Sequence, residues 1–134
     1  MRARVRFLAV VAACLTFLTC TFGSTGALAA AAAWIPCPSG DVCFYTGENG
    51  TGSMCHWTNS DPDWTTGSDV CSWATTTLTR SVWNNGQATA YPTLYFYWGT
   101  NYTRYAGCID RGWGANIGPT YLFSHKWVTG SCPP

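Results

Sequence analysis

Cysteines at positions 37, 43, 55, 71, 108 and 132 constrain this chain more than any other feature, because of what precedes them. Arg2, Arg4 and Arg6 lead into an apolar run over 7–22, and small residues follow, ending in Ala27, Leu28 and Ala29. That order of charge, apolar stretch and small residues is the pattern of a secretory signal peptide, with cleavage expected after Ala29. No stop-transfer charge follows the run, so no membrane association is expected once 1–29 is removed. A lipoprotein-type cut at Cys14 or Cys20 is disfavoured, since the first would split the apolar run and Thr19 is a poor neighbour for the second. The expected destination is extracellular and oxidising, where six remaining thiols read as a disulfide framework.

Six cysteines allow fifteen pairings. Cys37 and Cys43 enclose Pro38, Ser39 and Gly40, which turn the chain tightly enough for the two sulfurs to meet. Closing so short a loop contributes about 2 kcal/mol by the chain-entropy account, mainly by pinning the aromatic segment 42–45 that follows. Cys55 with Cys71 and Cys108 with Cys132 are the favoured remaining pairs, because each bridge then stays within one half of the chain. A zinc site built from cysteines and His56 fits neither the spacing nor the compartment. About 105 residues remain after cleavage, enough for one domain (30–134) that buries only about two thirds of its surface, so cross-links matter to its stability.

Removing the leader also removes three arginines, leaving four basic residues against six acidic ones. No basic footprint for nucleic acid survives. No window beyond residue 36 keeps apolar residues at helical spacing, whereas aromatic and β-branched runs recur every ten or so residues between glycine, asparagine and proline. The fold class expected is all-β, with strands over 42–45, 53–58, 81–83, 93–98, 105–109 and 124–128. Asn49-Gly50 and Asn85-Gly86 offer positive-φ turn positions. The chain also repeats itself: 44–52 lies over 96–104 at an offset of 52 with five of nine residues identical, and Ser81-Val82-Trp83 late in one half parallels Ser124-His125-Lys126-Trp127 in the other. Two copies of a four-stranded unit are implied, about 37–86 and about 93–132, joined by a linker over 84–92. Each copy is too small to bury its aromatic face alone, so the two should pack together.

An aromatic strand, then tyrosine, glycine and a glycine-rich turn, with a serine strand late in a doubled unit, resembles the βγ-crystallin Greek-key sandwich. More narrowly, Cys-Pro-Ser-Gly-Asp-Val-Cys-Phe-Tyr at 37–45, Arg-Ser-Val-Trp-Asn-Asn-Gly at 80–86 and Ser-His-Lys-Trp-Val at 124–128 resemble the secreted actinobacterial metalloproteinase-inhibitor family. That resemblance implies a monomeric, non-enzymatic inhibitor of an extracellular thermolysin-type zinc proteinase, acting through a rigid substrate-like loop. The inhibitory segment it implies is Cys108, Ile109, Asp110 and Arg111, where a cysteine precedes the bulky apolar residue such proteinases favour after the scissile bond. In the founding inhibitor of that family a second cysteine soon afterwards closes a small loop; here the positions read Asp110-Arg111-Gly112-Trp113. The resemblance also suggests calcium sites, but threonines and Arg80 occupy the matching segment 76–81, and 119–124 is poorer still in oxygen ligands. No cofactor is expected.

Catalysis has little to draw on. His56 and His125 are the sole near-neutral bases, Glu48 is the one glutamate and lies in a turn, and Asp61, Asp63 and Asp69 fall in a polar loop over 59–68 and just beyond. The aromatics are the alternative lead. Trp83 and Trp127 stand at matched positions and are expected in the core, whereas Trp57, Trp64, Trp73, Trp98 and Trp113 adjoin polar or glycine-rich loops. Aromatic faces displayed there would suit a surface- or polysaccharide-binding or toxin-like module instead of an inhibitor. Asn49-Gly50-Thr51 and Asn101-Tyr102-Thr103 match the glycosylation acceptor pattern, which matters only in a eukaryotic secretory route.

Overall fold

The computed structural model describes residues 33–134, so the signal-peptide expectation for 1–29 lies outside the described residues. Among the described residues seven strands form two antiparallel sheets. One contains β1 (Val42–Tyr45), β2 (Met54–Trp57), β3 (Thr79–Asn84) and β6 (Gly114–Thr120) in the order β2-β1-β3-β6; the other contains β4 (Thr93–Tyr97), β5 (Tyr105–Asp110) and β7 (Ser124–Val128) in the order β5-β4-β7. Apart from a single 3-10 turn at Glu48–Gly50, no helix occurs among the described residues. The described part of the chain is all-β, as its aromatic and β-branched runs require.

Among the described residues three disulfides join Cys37 to Cys43, Cys55 to Cys71 and Cys108 to Cys132, with Cα separations of 5.7, 5.7 and 5.8 Å. Each closes within one half of the chain.

The halves exchange material. β6, from the second half, pairs with β3 of the first. In return, Asp61 of the first half bridges to His125 on the edge of β7 that β4 leaves free. β6 has no counterpart among the strands expected from the sequence. Its residues, Gly-Ala-Asn-Ile-Gly-Pro-Thr, are poor strand formers, and Pro119 lacks a donor; an edge strand tolerates both because it pairs on one side only. Asn84, expected in the linker, is instead the last residue of β3 and fully buried.

The sequence repeat appears in the backbone. Asn49 and Asn101 share φ of 53°, Gly50 and Tyr102 have φ of 65° and 58°, and Gly52 and Arg104 have φ of 80° and 59°. Gly47 N–H donates to Thr51 O at 2.8 Å and Gly99 N–H to Thr103 O at 3.0 Å, so each hairpin folds over in the same way. A serine pins each one. The Ser81 hydroxyl donates to Gly47 O at 2.7 Å and accepts from Gly50 N–H at 2.9 Å, while that of Ser124 donates to Gly99 O at 2.6 Å and accepts from Tyr102 N–H at 3.2 Å. Ser81 is fully buried. Replacing it with alanine leaves a buried N–H and a carbonyl without their partner, and is expected to lower stability by about 2 kcal/mol, read from the shift of a urea midpoint. The Asn85-Gly86 pair is not a positive-φ turn. Gly86 lies under the Trp127 ring, where a Cβ would clash, and its N–H donates to Asn84 Oδ1 at 3.0 Å.

The core lies between the sheets. Val42, Phe44 and Val82 meet Leu94, Phe96 and Ile109, and the loop beyond β2 contributes Trp64, which stacks on Trp57 with ring centroids 4.7 Å apart. Three tryptophans that the sequence left available for a ligand, Trp57, Trp64 and Trp73, are therefore core residues. The other face of β1 is covered too: Cys43 and Tyr45 lie in a second cluster capped by Trp34, Met54 and Trp83. The lead segment is held there by Ile35 N–H donating to Gly50 O at 2.8 Å and by the Tyr45 hydroxyl donating to Ile35 O at 2.8 Å.

Candidate functional site

Once Trp57, Trp64 and Trp73 are assigned to the core, Trp98 and Trp113 are the tryptophans left exposed, at 41 % and 68 %. Trp113 sits in the short crossing from β5, an edge strand of one sheet, to β6, an edge strand of the other. The crossing is a tight turn, closed by Trp113 N–H donating to Asp110 O at 3.2 Å and made possible by Gly112 at φ 83°. Gly112 and Trp113 together face one residue, Asn84: Gly112 N–H donates to Asn84 O at 2.8 Å, and Asn84 N–H donates to Trp113 O at 3.0 Å. Two residues against one, with a positive-φ glycine first, is the geometry of a glycine β-bulge, which ends a ladder by bending the chain away.

The base of the turn is fixed from several directions. Asp110 Oδ1 accepts from Cys132 N–H at 2.9 Å and lies 2.6 Å from the Thr93 hydroxyl, whose oxygen is also 2.7 Å from Gly130 O. The disulfide from Cys108 to Cys132 ties the same two segments covalently. On the outer side, an Arg111 Nη1–H donates to Gln87 O at 3.3 Å. Trp34 and Trp83 flank Gly112 and Gly114, so an aromatic floor continues from the turn onto the sheet.

Of the segment implied by the family resemblance, Cys108, Ile109 and Asp110 belong to β5, and Arg111 alone begins the turn. The Ile109 side chain is 5 % exposed and packs in the core. Strand alternation is the reason: with Cys108 facing outward to its cystine partner, Ile109 must face inward. Beyond Asp110 the chain enters the turn, and the most exposed apolar group there is Trp113. In the sequence Trp113 stands among the loop tryptophans, two residues past the implied segment, and Asn84 falls in the expected linker. The Asn84-Asn85-Gly86 run looks like a turn in one dimension, and nothing local reveals that the first asparagine is buried.

The remaining candidates stand apart from the turn; of them, Asp61 and His125 are joined by a backbone bridge, and His56, Asp61 and Asp69 line a pocket with Asp41. His56 is exposed on β2, with Nδ1 2.6 Å from Asp41 Oδ2, and Asp41 also accepts from the Thr58 hydroxyl at 2.6 Å. His125 is fully buried on β7; Trp64 Nε1–H donates to its Nδ1 at 2.8 Å, and its Nε2–H donates to Asn59 O at 2.8 Å. Asp61 and Asp63 cap their own loop, accepting from Asp63 N–H and Thr65 N–H at 2.8 and 2.9 Å. The bonds from Thr65 hold the Asp63 carboxyl below its ordinary range. Glu48 lies in the first hairpin. Among the described residues no group of three histidines, cysteines or acids is gathered so as to hold a metal ion.

The described domain is all-β, is cross-linked three times and holds the 110–113 turn by backbone bonds. The model of peptidase inhibitor family I36 matches residues 30–110, more than half of the chain, and the chain belongs to that family. The family is one of inhibitors and not of enzymes, and its partner is a peptidase. No curated protein and no solved structure shows significant similarity to the chain.

Proposed function

We propose that the chain is a secreted, monomeric inhibitor of thermolysin-type metalloproteinases that acts through the turn after Cys108 and Ile109. Asp110, Arg111, Gly112 and Trp113 form the presented surface, Ile109 anchors it from inside, and the Cys108–Cys132 bridge replaces the small cysteine loop absent from this sequence. One observation carries the reading: the most exposed large apolar side chain among the described residues, Trp113 at 68 %, lies on a turn whose backbone is bonded on both sides of it. A peptidase with an apolar pocket for the residue after the scissile bond is matched by a bulky side chain that follows glycine. Rigidity supplies the rest, because a turn that is already ordered loses little entropy on docking.

The scaffold reading goes with it. The order β2-β1-β3-β6 against β5-β4-β7, the exchange of β6 for the Asp61 bridge and the two serine-pinned hairpins support a pair of crystallin-like Greek keys, over about 37–86 and about 93–132. Removal of 1–29 at export would leave both keys intact. The test is a titration of oxidatively refolded 30–134 against a thermolysin-type proteinase, with a serine proteinase as control. Stoichiometric loss of metalloproteinase activity alone is expected. Full metalloproteinase activity in the presence of excess chain would rule the assignment out.

A further inference from the structure

A proteinase cleaves peptides that it can draw into an extended form, so a turn bound at its active site survives only if it resists being drawn out. Three backbone bonds oppose this here, and two of them end on one residue: Gly112 N–H to Asn84 O, Asn84 N–H to Trp113 O, and Trp113 N–H to Asp110 O. We infer that Asn84 is the positioning residue that keeps the turn an inhibitor and not a substrate. This rests on the reading of 110–113 as the inhibitory element.

The side chain of Asn84 gives it that capacity. It is fully buried, and its carboxamide is bonded on both ends: Nδ2 donates to Pro92 O and to Ile109 O, each at 3.1 Å, and Oδ1 accepts from Gly86 N–H at 3.0 Å. Asn84 ends β3 in one sheet, Ile109 lies in β5 of the other, and Pro92 leads into β4. The carboxamide thus joins the sheets directly behind the turn, and the backbone of the same residue grips the turn from its inner side. No other amino acid offers two donor hydrogens and an acceptor oxygen at that reach from the backbone. Alanine would leave Pro92 O, Ile109 O and Gly86 N–H without these partners and free β3 to shift against β5.

Cleavage of a folded chain follows the population of its locally opened form. With N84A that population, and with it the rate at which a thermolysin-type proteinase cuts between Gly112 and Trp113, is expected to rise about a hundredfold, while the initial inhibition constant changes by less than about threefold. The matched control is N85A. Asn85 Nδ2 bonds Cys37 O and Pro38 O, away from the turn, so that loss should destabilise the domain without raising cleavage at 112–113. Mass spectrometry of reduced digests reads the cut. Should N84A not fold, the unaltered protein decides by hydrogen exchange, since the Gly112 amide must be protected like those of the β1–β3 ladder. An N84A chain cut no faster than N85A, or a Gly112 amide that exchanges unprotected, overturns the inference and leaves the inhibitor assignment standing. An unaltered chain that inhibits no metalloproteinase overturns that assignment, and the cleavage and exchange comparisons still decide the role of Asn84.

Discussion

Replacing Trp113 with alanine is expected to weaken inhibition of a thermolysin-type proteinase about a hundredfold, equivalent to about 2.7 kcal/mol of binding free energy. The magnitude is that of an aromatic anchor at the centre of a protein interface, where truncation removes both apolar contact and the exclusion of water from its neighbours. The fold should be indifferent to the change. Trp113 is 68 % exposed, and its bonds to the rest of the chain run through its own backbone, to Asp110 and Asn84. Substitutions at such surface positions shift stability by about 0.5 kcal/mol or less. The pair of readings separates cause from collapse: an unchanged urea midpoint alongside a raised inhibition constant assigns Trp113 to the interface. An inhibition constant within about twofold of the unaltered chain would move the contact surface elsewhere, because a hot spot cannot be deleted at so little cost.

Acid should destabilise this domain through one histidine. The His125 ring lies among Phe44, Trp57 and Trp64, with centroids 4.9 to 6.0 Å away, and the removal of water pushes its pKa from 6.5 down to about 4, partly countered by the bond to Asn59 O. The ring is held neutral, with Nδ1 accepting from Trp64 and Nε2–H donating to Asn59 O. A proton on Nδ1 would confront the indole N–H. The nearby Asp61 carboxylate is turned toward Asp63 N–H. The sign follows from which state takes up the proton first. The unfolded chain protonates this residue as pH falls through 6.5, the folded one only near 4. Its contribution is therefore complete above 6.5 and is lost progressively down to about 4, a total of about 3 kcal/mol at about 1.4 kcal/mol per unit. Urea midpoints measured between pH 7 and 4 should trace that slope, and His125→Gln, which can still donate and accept but does not titrate, should flatten it. A slope that survives in the glutamine variant would place the acid sensitivity on other groups.

Much of this architecture was legible in one dimension, because the features concerned are local. Strands follow the aromatic and β-branched runs at 42–45 and 93–97. The doubled hairpin follows from asparagines and glycines that accept positive φ, and its serine partners were visible as Ser81 and Ser124. What escaped depends on partners distant in the chain. β6 is a strand because β3 needs an edge partner, not because Gly114, Gly118 or Pro119 favour one. Trp57, Trp64 and Trp73 adjoin polar residues in sequence, yet the 59–68 loop folds inward so that Trp64 closes over Phe44, with ring centroids 4.6 Å apart. Ile109 is the instructive case: alternation along β5 already turned it inward once Cys108 was committed to an external bridge. Family likeness implied the segment from Cys108 to Arg111, and the strand period moves the surface proposed for docking a few residues further on.

The bridge between Cys108 and Cys132 spans the exposed turn, with one half-cystine on each side of it. A chain severed there would remain a single covalent molecule, heavier by one water and held in register by both sheets. Such a nick would be invisible on a gel until reductant was added. It also marks the turn as a place to open the backbone deliberately, for new termini or an inserted recognition segment, with the tether already installed.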